Sequence, residues 1–187
     1  MCAGDLVPAP SLPPPSGVDR CHVVLAYEGA GRELVARLKY HNARSALRWL
    51  SLQMSGLVDA RDVDVVTWIP TTADRRRQRG FDQAELLARA VARRLGRPCR
   101  ALLTRCAGPP QTGRSSVDRR AGPAIVARAR TARLGRVLLV DDVITTGTTA
   151  AVAARALRFS GAATVAVLAA ARTPLKRPAS HSDNSEE

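Results

Sequence analysis

Short apolar runs alternate along the chain with longer stretches in which apolar residues recur every three or four positions. The short runs have the composition of strands and lie at residues 22–27, 63–69, 101–104, 137–140 and 163–169. The longer stretches have the apolar stripe of helices and lie at 29–40, 43–58, 82–95 and 150–159. This alternation predicts an α/β fold, in which helices flank a parallel sheet and ligands bind at the carboxyl ends of the strands.

Three segments lack this periodicity. Residues 1–18 contain five prolines, and we interpret them as a disordered or extended Pro-rich arm. Residues 107–123 are rich in glycine and proline and predict a long mobile loop, and residues 173–187 predict a disordered polar tail. The folded domain is therefore expected at residues 19–172.

Composition narrows the class of protein. A hydrophobic content of 45% in 187 residues predicts one globular domain, whereas an aromatic content of 3% leaves few platforms for stacking nucleic-acid bases. No apolar stretch approaches the roughly 20 residues of a membrane span, and the first residues lack the regions of a signal peptide. We therefore expect a cytoplasmic protein without membrane contact.

The cysteines and the net charge say less about the function than the overall composition says about the class of protein. Cys2, Cys21, Cys99 and Cys106 form no C-x-x-C pair, which favours free thiols over a zinc site. The formal net charge is +13, and all basic residues except Lys39 and Lys176 are arginines. Such a charge attracts phosphorylated small substrates and also polynucleotides, so single-stranded DNA or RNA contact stays open beside a solvated basic surface.

The segment 137–149 carries the clearest chemical pattern. Its apolar run ends in two carboxylates, Asp141 and Asp142, and a hydroxyl-rich turn leads into the helix predicted at 150–159. The turn consists of Thr145, Thr146, Gly147, Thr148 and Thr149. Because a helix begins with unpaired N–H groups and the positive end of its dipole, an anion such as a phosphate ester can bind there. The alternative is a buried strand and a capped helix without a ligand.

A second basic segment, residues 70–83, also follows a predicted strand directly. It holds four arginines within five positions, Arg75, Arg76, Arg77 and Arg79, followed by Gly80 at a helix entrance. The run predicts an anion-attracting turn. The alternative is a solvated basic loop, because runs of like charge usually lie on the surface.

Both segments resemble motifs of known proteins. Residues 137–149 resemble the phosphoribosyl-pyrophosphate (PRPP) motif of type I phosphoribosyltransferases. Residues 76–83 resemble the R-x-x-R-G-F-N-Q signature of the ComF-like members of that family, with Asp82 in place of the usual Asn. Leu38-Lys39-Tyr40 and the Gln…Arg pattern of Gln111, Arg119 and Arg120 are also similar, although Gly122 replaces an expected Asn. The four-cysteine zinc module common in these proteins is absent from the sequence.

The resemblance implies a fold and a reaction. The fold is the type I phosphoribosyltransferase-like parallel sheet flanked by helices, with a core at 62–172 and a small hood at 22–58. The reaction transfers the phosphoribosyl group of PRPP to a nitrogenous acceptor and releases pyrophosphate, with Mg²⁺ held mainly by substrate and water. The acceptor base is not readable from the sequence.

The resemblance also implies roles for individual residues. Asp141 and Asp142 would hold the ribose hydroxyls as catalytic residues, and residues 145–149 would bind the 5′-phosphate. Thr71, Thr72 and Ala73 would form the pyrophosphate loop, with charge from Arg75, Arg76 and Arg79. Gln111 and Arg119 would act from a flexible loop that closes over the site.

Other functions stay open on the same residues. ComF-like proteins are associated with DNA uptake, so a non-catalytic nucleic-acid handling protein of competence is one alternative. A PRPP-sensing regulator is another, since it would bind PRPP without turnover. A homodimer is also compatible with the sequence.

Overall fold

The computed structural model describes residues 6–38, 44–106, 124–128 and 133–174. The strands are β1 (Arg20–Ala26), β2 (Val65–Trp68), β3 (Leu103–Arg105), β4 (Ile125–Ala127), β5 (Gly135–Ile144) and β6 (Ala162–Arg172). The α-helices are α1 (Gly29–Arg37), α2 (Arg44–Gly56), α3 (Ala73–Arg79), α4 (Gln83–Leu95) and α5 (Thr148–Phe159). A short 3-10 helix covers Ala60–Asp62.

Four strands form one sheet in the order β1-β6-β5-β2, and every neighbouring pair in it is parallel. Helices flank this sheet, which confirms the predicted α/β class. The apolar run 137–140 lies at the centre of the sheet, where all four of its residues are buried. A parallel strand covered on both faces needs such a run, because neither face meets water.

The strand predicted at 101–104 does not belong to this sheet. The structure places β3 at Leu103–Arg105 and pairs it antiparallel with β4 in a separate two-stranded ribbon. The alternation of predicted elements had assigned this run to the parallel sheet. That assignment is wrong, because β3 pairs with β4, a strand that the sequence pattern did not predict.

Alternate residues of β5 pack into two separate cores. Leu138 and Val140 face the core that α1, α2 and α4 form, whereas Val137 and Leu139 face the core of α5 and the β3–β4 ribbon. This period of two follows from the pleat of the strand. The sheet is therefore the middle layer of three, and α4 and α5 lie on opposite faces.

The helix stripes predicted from the sequence are the buried faces of the helices. Ala84, Leu87, Ala88 and Val91 of α4 are buried, as the spacing predicts. On α5 the buried positions are mostly alanine, namely Ala150, Ala153 and Ala154 beside Leu157, and each leaves little or no surface exposed. Small side chains bring the helix axis close to the sheet, which positions the start of α5 near the end of β5.

The described part of the N-terminal arm runs along the outer edge of β1. Pro8 forms an antiparallel bridge with Leu25, and the Ala26 N–H donates to the Val7 carbonyl at 2.9 Å. Strand β1, which overlaps the predicted hood at 22–58, pairs with β6 of the main sheet. The domain and hood boundaries stay predictions.

Two further sequence expectations concern the cysteines and membrane-spanning helices. Cys21, Cys99 and Cys106 are free thiols, as predicted, and Cys2 lies outside the described residues. Within the described ranges the structure contains no helix of the length and apolarity that a membrane crossing requires.

Candidate functional site

A cavity of about 460 Å³ opens where β5, β2 and β1 end. This is the edge of a parallel sheet at which ligands of α/β proteins bind. The cavity is lined by Tyr27, Val35, Ile69, Pro70, Thr71, Arg75, Arg79, Asp82, Gln83, Ala84, Arg105, Asp141, Asp142, Val143, Thr145 and Thr149. Residues of both motifs found in the sequence therefore lie on one cavity.

Asp141 and Asp142 lie inside the last four residues of β5. The predicted strand ended at residue 140, whereas β5 continues to Ile144 because it keeps its pairing with β6 up to Arg172. Each carboxylate accepts a hydrogen bond from the next backbone N–H, Asp141 from Asp142 and Asp142 from Val143, both at 2.9 Å. These local bonds orient the two side chains at the cavity wall.

The surroundings of the Asp141 carboxyl disfavour its ionised form. Burial raises its pKa well above the ordinary value, and the neighbouring Asp142 and Asp82 carboxylates raise it further. A buried anion beside two like charges is costly unless a cation or several hydrogen-bond donors approach it. A cation or hydrogen-bond donors in the cavity would therefore stabilise the ionised form of Asp141.

The threonine-rich turn leads directly into α5. Gly147 is the N-cap residue of the helix with φ of 80°, and the Thr148 N–H donates to the Thr146 hydroxyl at 3.4 Å. The hydroxyls of Thr146 and Thr148 bond each other at 2.9 Å, while Thr145 and Thr149 line the cavity. The first N–H groups of a helix can bind an anion, and the anion site at residues 145–149 stays a prediction. Thr146, Gly147 and Thr148 do not line the described cavity.

The segment after β2 differs from the predicted turn. Residues 73–79 form the helix α3, which Thr72 begins and Gly80 ends in the left-handed conformation. The Thr72 hydroxyl accepts from the Arg75 N–H at 3.3 Å. Thr71 lines the cavity, whereas Thr72 and Ala73 do not. The peptide bonds of this described segment are all trans.

The arginines of α3 point in different directions. Arg75 and Arg79 line the cavity. Arg76 lies 3.8 Å from the Glu85 carboxylate, and Arg77 pairs with Asp74 on its own helix. The structure therefore brings two of the three predicted pyrophosphate-loop arginines to the cavity and leaves Arg76 outside it.

Asp82 links the start of α4 to the segment that follows β2. Its buried carboxylate accepts from the N–H groups of Ala84 and Glu85 at 3.1 and 3.5 Å, so it is the N-cap of α4. Its other oxygen accepts from the Thr71 N–H at 2.8 Å. Burial raises the pKa of Asp82, while these backbone bonds act in the opposite direction. The sequence showed Asp82 as a departure from the ComF-like signature but gave it no role.

Arg105 is a site residue that sequence reasoning missed. It lies on β3, lines the cavity and donates to the Pro70 carbonyl at 3.1 Å. Burial lowers the pKa of its guanidinium, and the charge of Arg75 lowers it further. No motif surrounds Arg105, and only the folded chain brings it close to the loop after β2.

The remaining predicted positions fall outside the described residues. Gln111 and Arg119, assigned to a flexible loop, lie within residues 107–123. Across the described ranges, no group of three or more His, Cys, Asp and Glu side chains could hold a metal ion.

Comparisons with known proteins bear on the family resemblance of the chain. No protein-family model matches the chain. Competence protein ComFC of Bacillus subtilis (strain 168) is 28% identical over 144 residues, which cover 75% of this chain. The chain spans 58% of the length of ComFC. This similarity confirms the ComF-like resemblance predicted from the sequence.

A similar solved structure is glutamine phosphoribosylpyrophosphate amidotransferase from B. subtilis, in complex with ADP and GMP. It is 25% identical, with a TM-score of 0.49. The match covers 71% of this chain and 30% of the amidotransferase chain.

Proposed function

We propose that this chain binds PRPP and transfers its phosphoribosyl group to a nitrogenous acceptor with release of pyrophosphate. The observation that carries the proposal is the single cavity that joins the Asp141–Asp142 pair, the start of α5 and the arginines of α3. PRPP needs these three kinds of group: acceptors for ribose hydroxyls, N–H donors for a phosphate and cations for a diphosphate.

The chemistry requires positioning and charge rather than a protein nucleophile. The bond from C1 of the ribose to pyrophosphate oxygen breaks while the bond from C1 to the acceptor nitrogen forms. Pyrophosphate leaves with the bonding electron pair, and the acceptor nitrogen loses its proton to solvent. Asp141 and Asp142 hold the ribose, and Arg75, Arg79 and Arg105 stabilise the departing charge.

Mg²⁺ fits the groups present at the cavity. This ion is commonly held by one or two carboxylates together with substrate phosphates and water. Asp141 and Asp142 form such a pair, and the raised pKa of Asp141 marks a carboxylate whose charge is poorly compensated. When bound, the ion would offset the negative charge of the diphosphate.

Calorimetry of the full chain with PRPP and Mg²⁺ tests the binding step. We expect binding by the wild type and a loss of at least about tenfold in Asp141→Asn/Asp142→Asn, equivalent to about 1.4 kcal/mol. Asp59→Asn/Asp62→Asn is the matched control, because both carboxylates are exposed and lie outside the cavity. Equal affinity in the wild type and the Asp141/Asp142 variant would reject the proposal.

Turnover separates an enzyme from a PRPP-sensing regulator. Release of pyrophosphate from PRPP, measured with a panel of nitrogenous bases, should depend on the base and should fail in Asp141→Asn/Asp142→Asn. Tight PRPP binding without pyrophosphate release for any base would favour the regulator.

Nucleic-acid handling is a second candidate function. The formal charge of +13 and the exposed arginines Arg75, Arg76 and Arg77 of α3 favour it, as does the similarity to a competence protein. It predicts binding of a single-stranded oligonucleotide that weakens steeply with salt. Fluorescence anisotropy without any binding at about 50 mM salt would exclude this function.

A further inference from the structure

The N-terminal arm packs on the rest of the protein by one face along its described length. A residue at every third position is buried or half-buried, and the residues between these positions are exposed. The packed positions are Leu6, Ala9, Leu12, Pro15 and Val18. A period of three is that of the polyproline II helix, which proline-rich segments adopt and which makes them semi-rigid. The arm therefore acts as a stiff segment with one packing face.

Hydrogen bonds fix the arm at two points. Near its start, the Ala9 N–H donates to the Val24 carbonyl of β1 at 3.2 Å. Just beyond its end, the Asp19 N–H donates to the Val165 carbonyl of β6 at 2.9 Å. The Asp19 carboxylate also accepts from Arg158 Nη2 at 2.6 Å, and Arg158 lies in the last turn of α5. The arm is thus tied to both the sheet and α5.

Between these two points, Pro15 lies against Gly147 at the start of α5. A Cβ on Gly147 would lie 2.9 Å from Cγ and 3.2 Å from Cβ of Pro15, and the three heavy atoms nearest to it all belong to Pro15. Gly147 is buried, whereas Thr146 and Thr148 on either side of it are exposed. Pro15 itself does not line the cavity. The proline ring therefore covers the backbone of the threonine-rich turn and leaves the neighbouring threonines open to solvent.

The side-chain hydrogen bonds of the turn itself are local. The Thr146 and Thr148 hydroxyls bond each other at 2.9 Å, and the Thr148 N–H reaches the Thr146 hydroxyl at 3.4 Å. Both bonds join residues two positions apart, so neither links the turn to another element. Gly147 lacks a Cβ and has access to many backbone conformations. A contact from outside the turn is therefore needed to restrict it.

We propose that Pro15 is a positioning residue for the 5′-phosphate of PRPP, because it holds the threonine-rich turn in the conformation that binds this group. The inference rests on the proposed function and adds to the site a segment that lies outside the cavity. A ligand that binds one conformation of a turn loses affinity in proportion to the fraction of molecules that leave this conformation. Without the Pro15 ring, the turn samples other conformations, and the affinity for the 5′-phosphate falls.

The variants separate this contact from the general stiffness of the arm. Pro15→Gly removes the ring, and Pro15→Val restores an apolar side chain of similar size. Pro14→Gly is the matched control, because it loosens the same segment but Pro14 is exposed. If Pro15→Gly does not fold, Pro15→Ala supplies the same measurement, since it keeps Cβ and removes Cγ.

Two measurements on the full chain test the inference. The affinities for PRPP with Mg²⁺ and for ribose 5-phosphate are measured by calorimetry. Pro15→Gly should lose at least about fivefold for both compounds, because both carry the 5′-phosphate. Pro14→Gly and Pro15→Val should stay within about twofold of the wild type.

Hydrogen–deuterium exchange of the ligand-free proteins is the second measurement. The amides of residues 148–150 should exchange at least about fivefold faster in Pro15→Gly than in the wild type and Pro14→Gly. The amides of α4 should exchange at the same rate in all three proteins. This local change separates a loosened turn from a loss of global stability.

Unchanged affinity in Pro15→Gly would overturn the inference, and so would an equal loss in Pro14→Gly. A gain of affinity in Pro15→Gly would also overturn it, because the arm would then obstruct the turn instead of supporting it. In each of these results the wild type still binds PRPP, so the proposed function stands. A wild type that binds neither PRPP nor ribose 5-phosphate would reject the proposed function and, with it, the role of Pro15.

Discussion

Replacing Asp82 by alanine should destabilise the fold and loosen the loop that carries Thr71. The Asp82 carboxylate makes two kinds of contact: it caps α4 through the Ala84 and Glu85 N–H groups, and it accepts from the Thr71 N–H at 2.8 Å. Alanine removes both at once. The substitution therefore tests whether one side chain joins the helix to the loop after β2.

The expected magnitude follows from these contacts. Loss of an N-cap side chain costs about 1 kcal/mol. A buried N–H without an acceptor costs about 1–3 kcal/mol, and Thr71 belongs at the lower end because it is partly exposed. We therefore expect Asp82→Ala to lower the free energy of unfolding by about 2 kcal/mol. Asp82→Asn should lie between this variant and the wild type, because asparagine keeps the cap but cannot accept at both of its side-chain atoms.

Urea denaturation followed by circular dichroism measures this difference. Asp74→Ala is the matched control, since Asp74 is exposed on α3 and pairs with Arg77 at the surface. We expect the control to stay within about 0.5 kcal/mol of the wild type. PRPP affinity should fall in both Asp82 variants because Thr71 loses its anchor. An Asp82→Ala protein as stable as the control would refute the reasoning.

Three further predictions concern other parts of the cavity. Because the pKa of Asp141 is raised in the folded state, this carboxyl lowers the stability above its unfolded-state pKa, and the cost shrinks as the pH falls from the raised pKa toward the unfolded-state value. Asp141→Asn should therefore stabilise the protein more at about pH 7 than at about pH 4 in urea denaturation, and an equal gain at both values would contradict it. Gly147→Ala should lower the thermal midpoint of unfolding by about 2–4 °C or more. The reason is that φ of Gly147 is 80° and the new Cβ would lie 2.9 Å from Pro15 Cγ. An unchanged midpoint in calorimetry would count against this strain. Arg105→Gln should weaken PRPP binding by about tenfold in calorimetry with little change in stability, and undiminished affinity would remove Arg105 from the site.

The sequence predicted the central layer of the fold well because its signals are local. The run at 137–140 is apolar at every position, and the fully buried centre of β5 requires this composition. The helix predicted at 82–95 is observed at Gln83–Leu95, with Asp82 and Gly96 as its caps. The hydrophobic periodicity thus carried the information without knowledge of the tertiary partners.

The parts that sequence reasoning missed depend on distant partners or on competing signals. Helix α3 has Thr72 before it and Gly80 after it, but the run of like charges between them indicated a surface turn. The pairing of β3 with β4 joins segments on either side of residues 107–123. Arg105 reaches Pro70 across 35 residues of sequence, so its place at the cavity is a property of the tertiary structure.

Both outer edges of the four-stranded sheet are covered by short segments that contain proline. Pro8 lies against β1, and on the other side the Val66 N–H of β2 donates to the Pro98 carbonyl at 2.9 Å. A proline has no N–H to offer a further strand, so neither segment continues the ladder efficiently. Growth of the sheet by addition of a strand from another molecule is thereby disfavoured at both ends. The arm along β1 and the segment at Pro98 thus reduce the risk of edge-to-edge aggregation of this sheet.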